Sequence, residues 1–496
     1  MSEERRSTPS VAIIGAGFGG IGAAIELERN GIHSYEVFEK GDSVGGVWRE
    51  NTYPGAACDV PSSIYSYSFE LKADWSATCG TQSEILDYLK YCAAKYGVEP
   101  KIRYTTEVVA ATFVDDRWLL DLRSGEIRYF DALICATGLL SRPKIPDLDG
   151  MEGFAGAMFH SAEWDHSVSL KGKRAVVVGS GASAVQLLPE IVDDVAELAV
   201  VQRSPNWVIN KHNKPRTAFT KRLMRKFPML MRAEHNLEFL TFESRAPLIY
   251  RSLDVVRGMF QATLRRKIRQ EIRDPELRAT VTPDYLALCN RPLASSDWYP
   301  ALDRAHVTVH RQAVRRVSTG GLELADGREI EADVIIWCTG FSADEYLAPI
   351  DITGRDGRKL HAEWKSGPEA YLGVAVSGYP NLFMIYGPGT GSSVNSVIFM
   401  LEKEARYARI ALQHIASTGG WLDVRPEVQQ DYNVGRQQQL QKTVYASGCP
   451  GWYSNEDGNV FAVWPGSHLA YARAIRTVDF RAYEHGGIVE QQSLER

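Results

Sequence analysis

The chain has 496 residues, 44% of them hydrophobic and 24% charged, which is the composition of an ordinary globular protein with two or three domains. The formal net charge of −5 gives no reason to expect nucleic acid as a partner. The polar N-terminus lacks the apolar core of a signal peptide and no apolar run reaches membrane-spanning length, so we predict a cytoplasmic protein.

The first predicted unit runs from Val11 to Glu39, after a tail over residues 1–10 that we expect to be disordered. A β-branched run at 11–14 predicts a strand, and a helix to about residue 30 leads into a second strand at 34–39. The glycines of the predicted phosphate turn are Gly15, Gly17 and Gly20. Glu39 ends the second strand, where an acid accepts hydrogen bonds from ribose hydroxyls. This pattern is typical of a dinucleotide-binding unit.

The stretch 175–203 repeats this plan. The copies align Gly15 with Gly179, Gly17 with Gly181, and Gly20 with Ala184. In both, the residue that ends the second strand lies 24 positions after the first glycine, and in the second copy it is Arg203. Because a guanidinium complements a 2′-phosphate, we predict a flavin or NAD-type dinucleotide in the first unit and NADPH in the second. A chain with two such sites is typical of a flavoprotein oxidoreductase.

The remaining patterns complete an α/β chain. Alternating apolar residues predict a β-meander over 103–130, and runs ending in ATG and CTG predict strands at 132–136 and 334–340. We predict the fold class α/β, with two Rossmann-like dinucleotide-binding domains for FAD and NADPH and a helical insertion. The predicted domains are 1–145 (FAD), 146–215 (NADPH), 216–280 (helical insertion), 281–340 (NADPH) and 341–496 (FAD, with a C-terminal cap).

The predicted insertion is basic. From about Arg216 to Arg278 it carries 15 Lys or Arg against seven Asp or Glu, among apolar residues at helical spacing. We favour a helical wall of a lipophilic substrate cavity, in which Met and aromatic side chains adapt to the substrate. Docking on an anionic membrane surface and a plain solvated face are the alternatives.

The seven cysteines form no CxxC pair and no metal-ligand spacing, and their odd number favours a reducing compartment. We interpret them mostly as small core residues and predict no metal site. A disulfide reductase is disfavoured because it needs a redox pair, and Cys58 has no partner before Cys79.

Four motifs resemble the flavin-dependent monooxygenases of the Baeyer-Villiger type. GGVW and YPGAxCD occur over 45–59, and the segment 282–302 resembles TPDYPxGCKRxLxSxDYYPAL. The fourth motif, FxGxxxHxxxW followed by Pro or Asp, is matched by Phe154, Gly156, His160, Trp164 and Asp165. For His160 we favour a linker residue that couples two domains over a catalytic base. The resemblance covers nearly the whole chain and is weakest across 216–278.

The resemblance, together with the glycine turns, implies the site residues. Arg291 is the implied catalytic arginine, and Asp59 lies beside the flavin ring and orients it. The implied FAD contacts are Gly15, Gly17, Gly20, Glu39, Gly46, Val47, Trp48, Arg49, Asp59, Tyr65, Val108 and Val397. The implied NADP contacts are Ala57, Ser180, Gly181, Ser183, Ala184, Gln186, Arg203, Ser204, Asn290 and Arg291.

Two positions depart from the family pattern. Asn290 replaces a lysine that helps to bind the 2′-phosphate, so NADPH selectivity depends mainly on Arg203, and Gly389 stands where the family often has Asn. We expect Lys211 and Lys214 to lie in a solvated loop.

The implied reaction uses FAD, NADPH and O₂. NADPH reduces FAD, the reduced flavin adds O₂ at C4a, and the resulting peroxide attacks a small lipophilic ketone to give an ester or lactone, while Arg291 holds the negative charge. One alternative is a flavin monooxygenase that oxidises nitrogen or sulfur with a protonated hydroperoxide. The other is a flavin-binding redox sensor without turnover. We expect a monomer or homodimer.

Overall fold

A computed structural model describes residues 8–247, 254–391, 394–447, 453 and 459–487. The predicted disordered tail, the helical insertion and the C-terminal cap are therefore described only in part. Residues 1–7, 248–253, 448–452 and 454–458 of these segments lie outside the described residues.

The strands that follow are numbered in chain order. They are β1 Val11–Ile14, β2 Tyr35–Phe38, β3 Ile102–Arg103, β4 Val108–Val114, β5 Arg117–Leu122, β6 Ile127–Phe130, β7 Ala132–Cys135, β8 Ala157–His160, β9 Arg174–Val178, β10 Glu197–Val201, β11 Val208–Ile209, β12 Leu293–Ala294, β13 Val307–His310, β14 Val314–Ser318, β15 Gly321–Leu324, β16 Glu329–Glu331, β17 Val334–Trp337, β18 Asp351–Thr353, β19 Leu382–Met384, β20 Trp421–Val424 and β21 Tyr483–Gly486.

The α-helices are numbered in the same way. They are α1 Phe18–Arg29, α2 Val47–Glu50, α3 Gln82–Lys95, α4 Ala182–Ile191, α5 Ala218–Lys226, α6 Pro228–Glu243, α7 Asp254–Glu271, α8 Pro275–Val281, α9 Trp298–Leu302, α10 Leu360–Glu363, α11 Val397–Thr418, α12 Pro426–Leu440 and α13 His468–Ala474.

The first parallel sheet has five strands in the order β19-β7-β1-β2-β3. Every residue of β1 and β7 is buried, as expected for parallel strands covered on both faces. Helices α1 and α11 pack against each other and belong to the core on one face. The sheet β18-β4-β5-β6 shares the core on the other face, through Trp118 and Leu120.

The second parallel sheet repeats this plan, with the order β13-β10-β9-β17-β8. The strand that precedes its phosphate turn, β9, lies between β10 and β17, as β1 lies between β2 and β7. Helices α4, α7 and α9 contribute to the core on one face, and the antiparallel sheet β14-β15-β16 covers the other. The repeat found in the sequence is therefore a repeat of sheet topology.

The predicted meander was wrong at its start. The strand begins at Val108 rather than near residue 103, and Ile102–Arg103 instead extend the first parallel sheet as β3. Thr105 adopts a φ of 52°, which breaks the extended run because this left-handed region is incompatible with a strand. The antiparallel pairing of β4, β5 and β6 is as predicted.

The cysteine prediction holds for most of the chain. Cys58, Cys79, Cys92, Cys135 and Cys338 are free and buried. Cys289 departs from it, because this residue is disulfide-bonded. Within the residues that the structure describes, no helix combines the length and apolar content needed to cross a bilayer.

Candidate active site at the junction of the two dinucleotide units

The first phosphate turn accepts only glycine at two positions. Gly15 has a φ of 101°, and an added Cβ would lie 2.6 Å from the carbonyl oxygen of Ala136. An added Cβ at Gly20 would lie 1.8 Å from the carbonyl oxygen of Gly15. The turn is therefore pressed tightly between β1, β7 and α1, which leaves its backbone as the surface that meets a ligand.

Helix α1 begins at this turn with its amide groups open to an acceptor. Among the described residues, no side chain caps its first turn at Gly17. Gly46, with a φ of 54°, packs onto Gly17, since an added Cβ at Gly46 would lie 3.2 Å from the Gly17 Cα atom. An uncapped helix N-terminus lined by glycine backbone fits a pyrophosphate.

Glu39 is held at the end of β2. Its buried carboxylate accepts hydrogen bonds from the backbone amides of Ala16 and Gly41, at 2.8 and 2.7 Å, and from Arg49 Nη1 at 3.0 Å. The carboxylate is thus fixed beside the phosphate turn. Its predicted contact with a ribose stays a prediction.

The predicted flavin-side aromatics contact each other directly. Trp48 Nε1 donates to Tyr65 Oη at 3.1 Å, and the two rings meet edge to face. Val47 begins α2 and Val108 begins β4, where it is buried. Val397 is the first residue of α11, whose N-cap is Ser396. The structure therefore places these residues on separate elements around the first sheet.

The second phosphate turn has the same construction. Gly179 has a φ of 113°, and an added Cβ would lie 2.2 Å from the carbonyl oxygen of Cys338. Ala184, in place of the third glycine, is fully buried in α4. Ser180 Oγ donates to the carbonyl oxygen of Ser204 at 3.2 Å, and Asn206 Nδ2 donates to the carbonyl oxygen of Ser180 at 2.9 Å. Asn206 thus braces the turn, a role that no sequence signal indicates.

Arg203 lies two residues after the end of β10 and is exposed. No carboxylate in the described part of the chain forms an ion pair with it. Ser204 follows and is also exposed. An unpaired guanidinium beside a phosphate turn has the chemistry needed to bind a 2′-phosphate.

The YPGAACD motif joins the two units. Gln186 of α4 donates from Nε2 to Asp59 Oδ1 and to the carbonyl oxygen of Ala57, both at 3.0 Å, and accepts from Tyr53 Oη at 2.9 Å. At Gly55, an added Cβ would lie 2.6 Å from the carbonyl oxygen of Gln186. The motif therefore docks on α4, which explains why its glycine and its acid occur at these positions.

Asp59 has an unexpected partner. Its Oδ1 atom forms an ion pair with Lys211 Nζ at 3.1 Å, and both side chains are mostly buried. The prediction that Lys211 lies in a solvated loop was wrong. The resemblance implies that Asp59 orients Arg291, whereas the cation paired with Asp59 is Lys211.

Arg291 is exposed and carries no ion pair within the described residues. Its positive charge affects the pKa of three residues, Cys58, Tyr65 and Tyr386. Burial raises the pKa of Cys58 to about 12, and the positive charge of Arg291 opposes that rise. The same charge opposes the effect of burial on the pKa of Tyr65 and of Tyr386. Arg291 therefore lies close to Tyr65, which is predicted to contact the flavin.

His160 is fully buried at the end of β8. Its Nδ1 atom accepts a hydrogen bond from the amide of Ala162 at 3.1 Å, and its ring meets Phe341 edge to face. Burial lowers its pKa to about 4, so the ring is neutral at pH 7. These contacts support the linker interpretation of His160.

The rest of this motif shapes the same linker. An added Cβ at Gly156 would lie 2.3 Å from the carbonyl oxygen of Asp333 and against the ring of Phe154. Trp164 packs edge to face on Phe159, and Asp165 accepts hydrogen bonds from the amide and hydroxyl of Ser167. Next to it, His166 is hydrogen-bonded to Thr52 of the first unit at 2.8 Å.

Comparison with known proteins gives the family. The chain matches the flavin-binding monooxygenase-like family over residues 8–250. A Baeyer-Villiger monooxygenase of Pseudomonas aeruginosa is 39% identical over 478 residues, which cover 95% of this chain and 90% of the relative. This chain belongs to the Baeyer-Villiger group of flavin-binding monooxygenases. The predicted family is thereby confirmed.

Two further matches agree. A Baeyer-Villiger monooxygenase of Streptomyces coelicolor is 37% identical and covers 96% of this chain and 92% of the relative. The crystal structure of the OTEMO complex with FAD and NADP aligns with a TM-score of 0.87 at 26% identity, over 97% of this chain and 100% of that one. These matches confirm the predicted fold class of this family member.

The loop before α11 of this Baeyer-Villiger family member contacts two buried titratable groups that the sequence did not reveal, Glu404 of α11 and Arg436 of α12. Glu404 is fully buried and accepts from the amide of Tyr386 at 2.7 Å and from Tyr471 Oη at 3.1 Å. Burial raises its pKa to about 7. At Gly389, an added Cβ would lie 2.9 Å from Arg436 Nη1, so the guanidinium fills the space that an Asn side chain would need.

Proposed function

We propose that this protein is an FAD- and NADPH-dependent Baeyer-Villiger monooxygenase. It inserts one atom of O₂ beside the carbonyl group of a lipophilic ketone and releases an ester or lactone. The observation that carries the proposal is the position of Arg291, an unpaired cation among the described residues at the junction of two different dinucleotide units.

The two cofactors supply hydride transfer and oxygen activation when bound. The chain supplies the binding site for each cofactor. The turn at Gly15 and the N-terminus of α1 bind the FAD pyrophosphate, with Glu39 beside the ribose. The turn at Gly179 binds NADPH, and Arg203 pairs with its 2′-phosphate.

Arg291 stabilises the negative charge that develops on oxygen atoms during the reaction. Oxidation of a ketone by this route places negative charge first on the attacking oxygen and then on the carbonyl oxygen. A permanently charged guanidinium stabilises the negative charge at both positions. An arginine suits this task because it stays protonated at any pH the enzyme meets. The ion pair of Asp59 with Lys211 positions the loop that joins the two units and keeps a second cation near the site.

Arg291→Ala tests this assignment. With saturating NADPH and no oxygen, we expect flavin reduction in the variant to proceed, because hydride transfer needs no oxygen anion. With oxygen and a ketone panel, we expect ester formation to fall at least about 100-fold. Stopped-flow absorbance of the flavin and gas chromatography of the products give the two readouts.

The matched control is Arg304→Ala, which removes an exposed arginine paired with Asp193. It should leave both readouts unchanged. Normal ester yield from Arg291→Ala would remove this residue from the reaction. Sulfoxide without ester from the parent protein would favour heteroatom oxidation instead, and no substrate-dependent turnover would favour a redox sensor. The cytoplasmic location and the monomeric or homodimeric state stay predictions.

A further inference from the structure

Exposed apolar side chains are concentrated in the helical insertion. Among the described residues, nine of the eighteen large apolar side chains that are exposed fall between positions 219 and 259, so this short stretch carries half of them. They are Phe219, Phe227, Met229, Leu230, Leu237, Leu240, Val255, Val256 and Met259. Because contiguous exposed apolar patches mark interaction sites, the helices that carry these residues are the candidates.

The exposed residues of α6 share one face. Met229, Leu230, Leu237 and Leu240 recur at helical spacing, which places them on a stripe about 100° wide. Met229 is 84% exposed and Leu237 is 68% exposed. A surface helix ordinarily turns polar residues outward, and α6 does the opposite along this stripe.

The other face of α6 is already used. Phe239 is buried in the core to which α1 and α11 belong, on one face of the first parallel sheet, and Phe242 packs against the same core. Glu243 is also buried, where it accepts a hydrogen bond from the amide of Leu469 at 3.0 Å. Because α6 is anchored by this inner face, its outer stripe cannot turn inward to cover itself.

The charge around the stripe is positive. Helix α5 packs against α6 and keeps every residue at least partly exposed, with Arg222 and Lys226 on its surface and Arg225 paired with Asp74 at 3.7 Å. Arg232 and Arg245 of the α6 segment are exposed as well. Two of the three acids of the α5–α6 segment are engaged elsewhere, since Glu234 pairs with Arg216 and Glu243 lies against His468.

We propose that the face formed by α5 and the outer stripe of α6 docks on an anionic lipid surface. Apolar side chains would enter the acyl boundary and the surrounding cations would meet lipid phosphates. The cations of the α5–α6 segment outnumber its acids in a chain whose net charge is −5, and this local excess of positive charge favours an anionic surface.

A second copy of the chain fits this face less well. A twofold dimer places the same patch on both partners, so the basic side chains of one copy would lie against those of the other. Lipid phosphates complement the same cations. The inference does not depend on the reaction, and the test below measures binding rather than turnover.

The test is cosedimentation of the full-length holoprotein with vesicles. We expect binding to phosphatidylcholine vesicles that contain about 30% phosphatidylglycerol, and weak or no binding to phosphatidylcholine alone. Raising the salt to about 0.5 M should release the protein, because the screening length then shortens to a few ångströms.

Two variants separate the apolar and the basic contributions. Leu237→Glu with Leu240→Glu should weaken binding at least about tenfold, because both side chains leave the acyl boundary. Arg222→Gln with Lys226→Gln should weaken it by about fivefold per cation. Val434→Glu and Ile127→Glu, at similarly exposed apolar sites on α12 and β6, should bind like the parent. Circular dichroism of each variant checks that it folds.

Three results would overturn the proposal. One is no binding to anionic vesicles by the parent protein. Another is equal weakening by the control variants. The third is a concentration-dependent dimer that Leu237→Glu with Leu240→Glu dissociates while vesicle binding is absent, because this would assign the face to a second copy.

Discussion

Glu404 is a single residue whose buried carboxyl group has an unusual environment. Its carboxyl group is fully buried, no cation pairs with it within the described residues, and it receives hydrogen bonds from the Tyr386 amide and the Tyr471 hydroxyl. Tyr386 has a φ of 67° and precedes the loop that leads to α11. The buried acid therefore holds a strained residue beside the predicted flavin site.

The pKa of Glu404 predicts a pH dependence of stability. Burial raises this pKa from its ordinary value of 4.5 to about 7, so the folded chain binds the proton more tightly than the unfolded chain. The resulting stabilisation is complete below pH 4.5 and is lost as the pH rises through 7. Glu404→Gln is neutral at all pH values, so it should gain up to roughly 3 kcal/mol relative to the parent between pH 4.5 and 8.

Urea unfolding of both proteins at pH 5 and pH 8 measures this difference. Glu163→Gln, which removes an exposed glutamate, provides the control and should follow the parent at both values. Parallel curves for Glu404→Gln and the parent would contradict the account of the buried acid.

Single residues also mark the limit of prediction from sequence. Glu39 and Arg203 could be found because each lies a fixed number of positions after a glycine turn in a local unit. The ion pair of Asp59 with Lys211 joins residues 152 positions apart, and nothing near either residue indicates the other. Contacts of that kind depend on how the two sheets pack, which local patterns do not encode.

At the scale of elements, the strands and phosphate turns were predictable because their signals are local. Buried β-branched runs gave β1, β9 and β17, and glycines with positive φ followed the first two. The start of β4 was missed because the positive φ of Thr105 has no counterpart in its residue type. The exposed apolar stripe of α6 was also invisible, because helical spacing alone does not say which face is buried.

Gly20 and Gly435 form a matched pair that tests the turn. Both lie within helices, but an added Cβ at Gly20 would lie 1.8 Å from the Gly15 carbonyl oxygen, whereas no described atom lies within 4 Å at Gly435. Gly20→Ala should therefore lose bound flavin or fail to fold. Gly435→Ala should gain about 0.5–1 kcal/mol from helix propensity.

Flavin absorbance per mole of purified protein, together with thermal unfolding, measures both effects. Full flavin content in Gly20→Ala would show that the turn is looser than the contacts indicate.

At the scale of the whole molecule, two copies of one unit are joined through Gln186, Asp59 and the linker at His160. The copies differ where their second strands end, with the Glu39 carboxylate in the first and, in the second, the Arg203 guanidinium, which has no ion pair in the described part of the chain. Such a pair of unlike sites lets one chain hold an electron donor and an electron acceptor at once.

Arg203→Ala tests the difference between the two units. Removing the guanidinium should lower kcat/KM for NADPH about 10- to 100-fold, because a charge-assisted contact with the 2′-phosphate is lost. The value for NADH, which lacks that phosphate, should change little and provides the internal control. Steady-state kinetics with both cofactors measures the ratio, and an unchanged preference would assign the phosphate contact to another residue.

The central claim is that this chain transfers one atom of O₂ into a ketone. The most direct measurement is turnover of the holoenzyme with NADPH, a ketone and ¹⁸O₂, followed by mass spectrometry of the product. The account predicts an ester or lactone that carries one ¹⁸O atom in its new ring or chain position. A product without the label, or oxidation of NADPH with no labelled ester from any ketone, would contradict it.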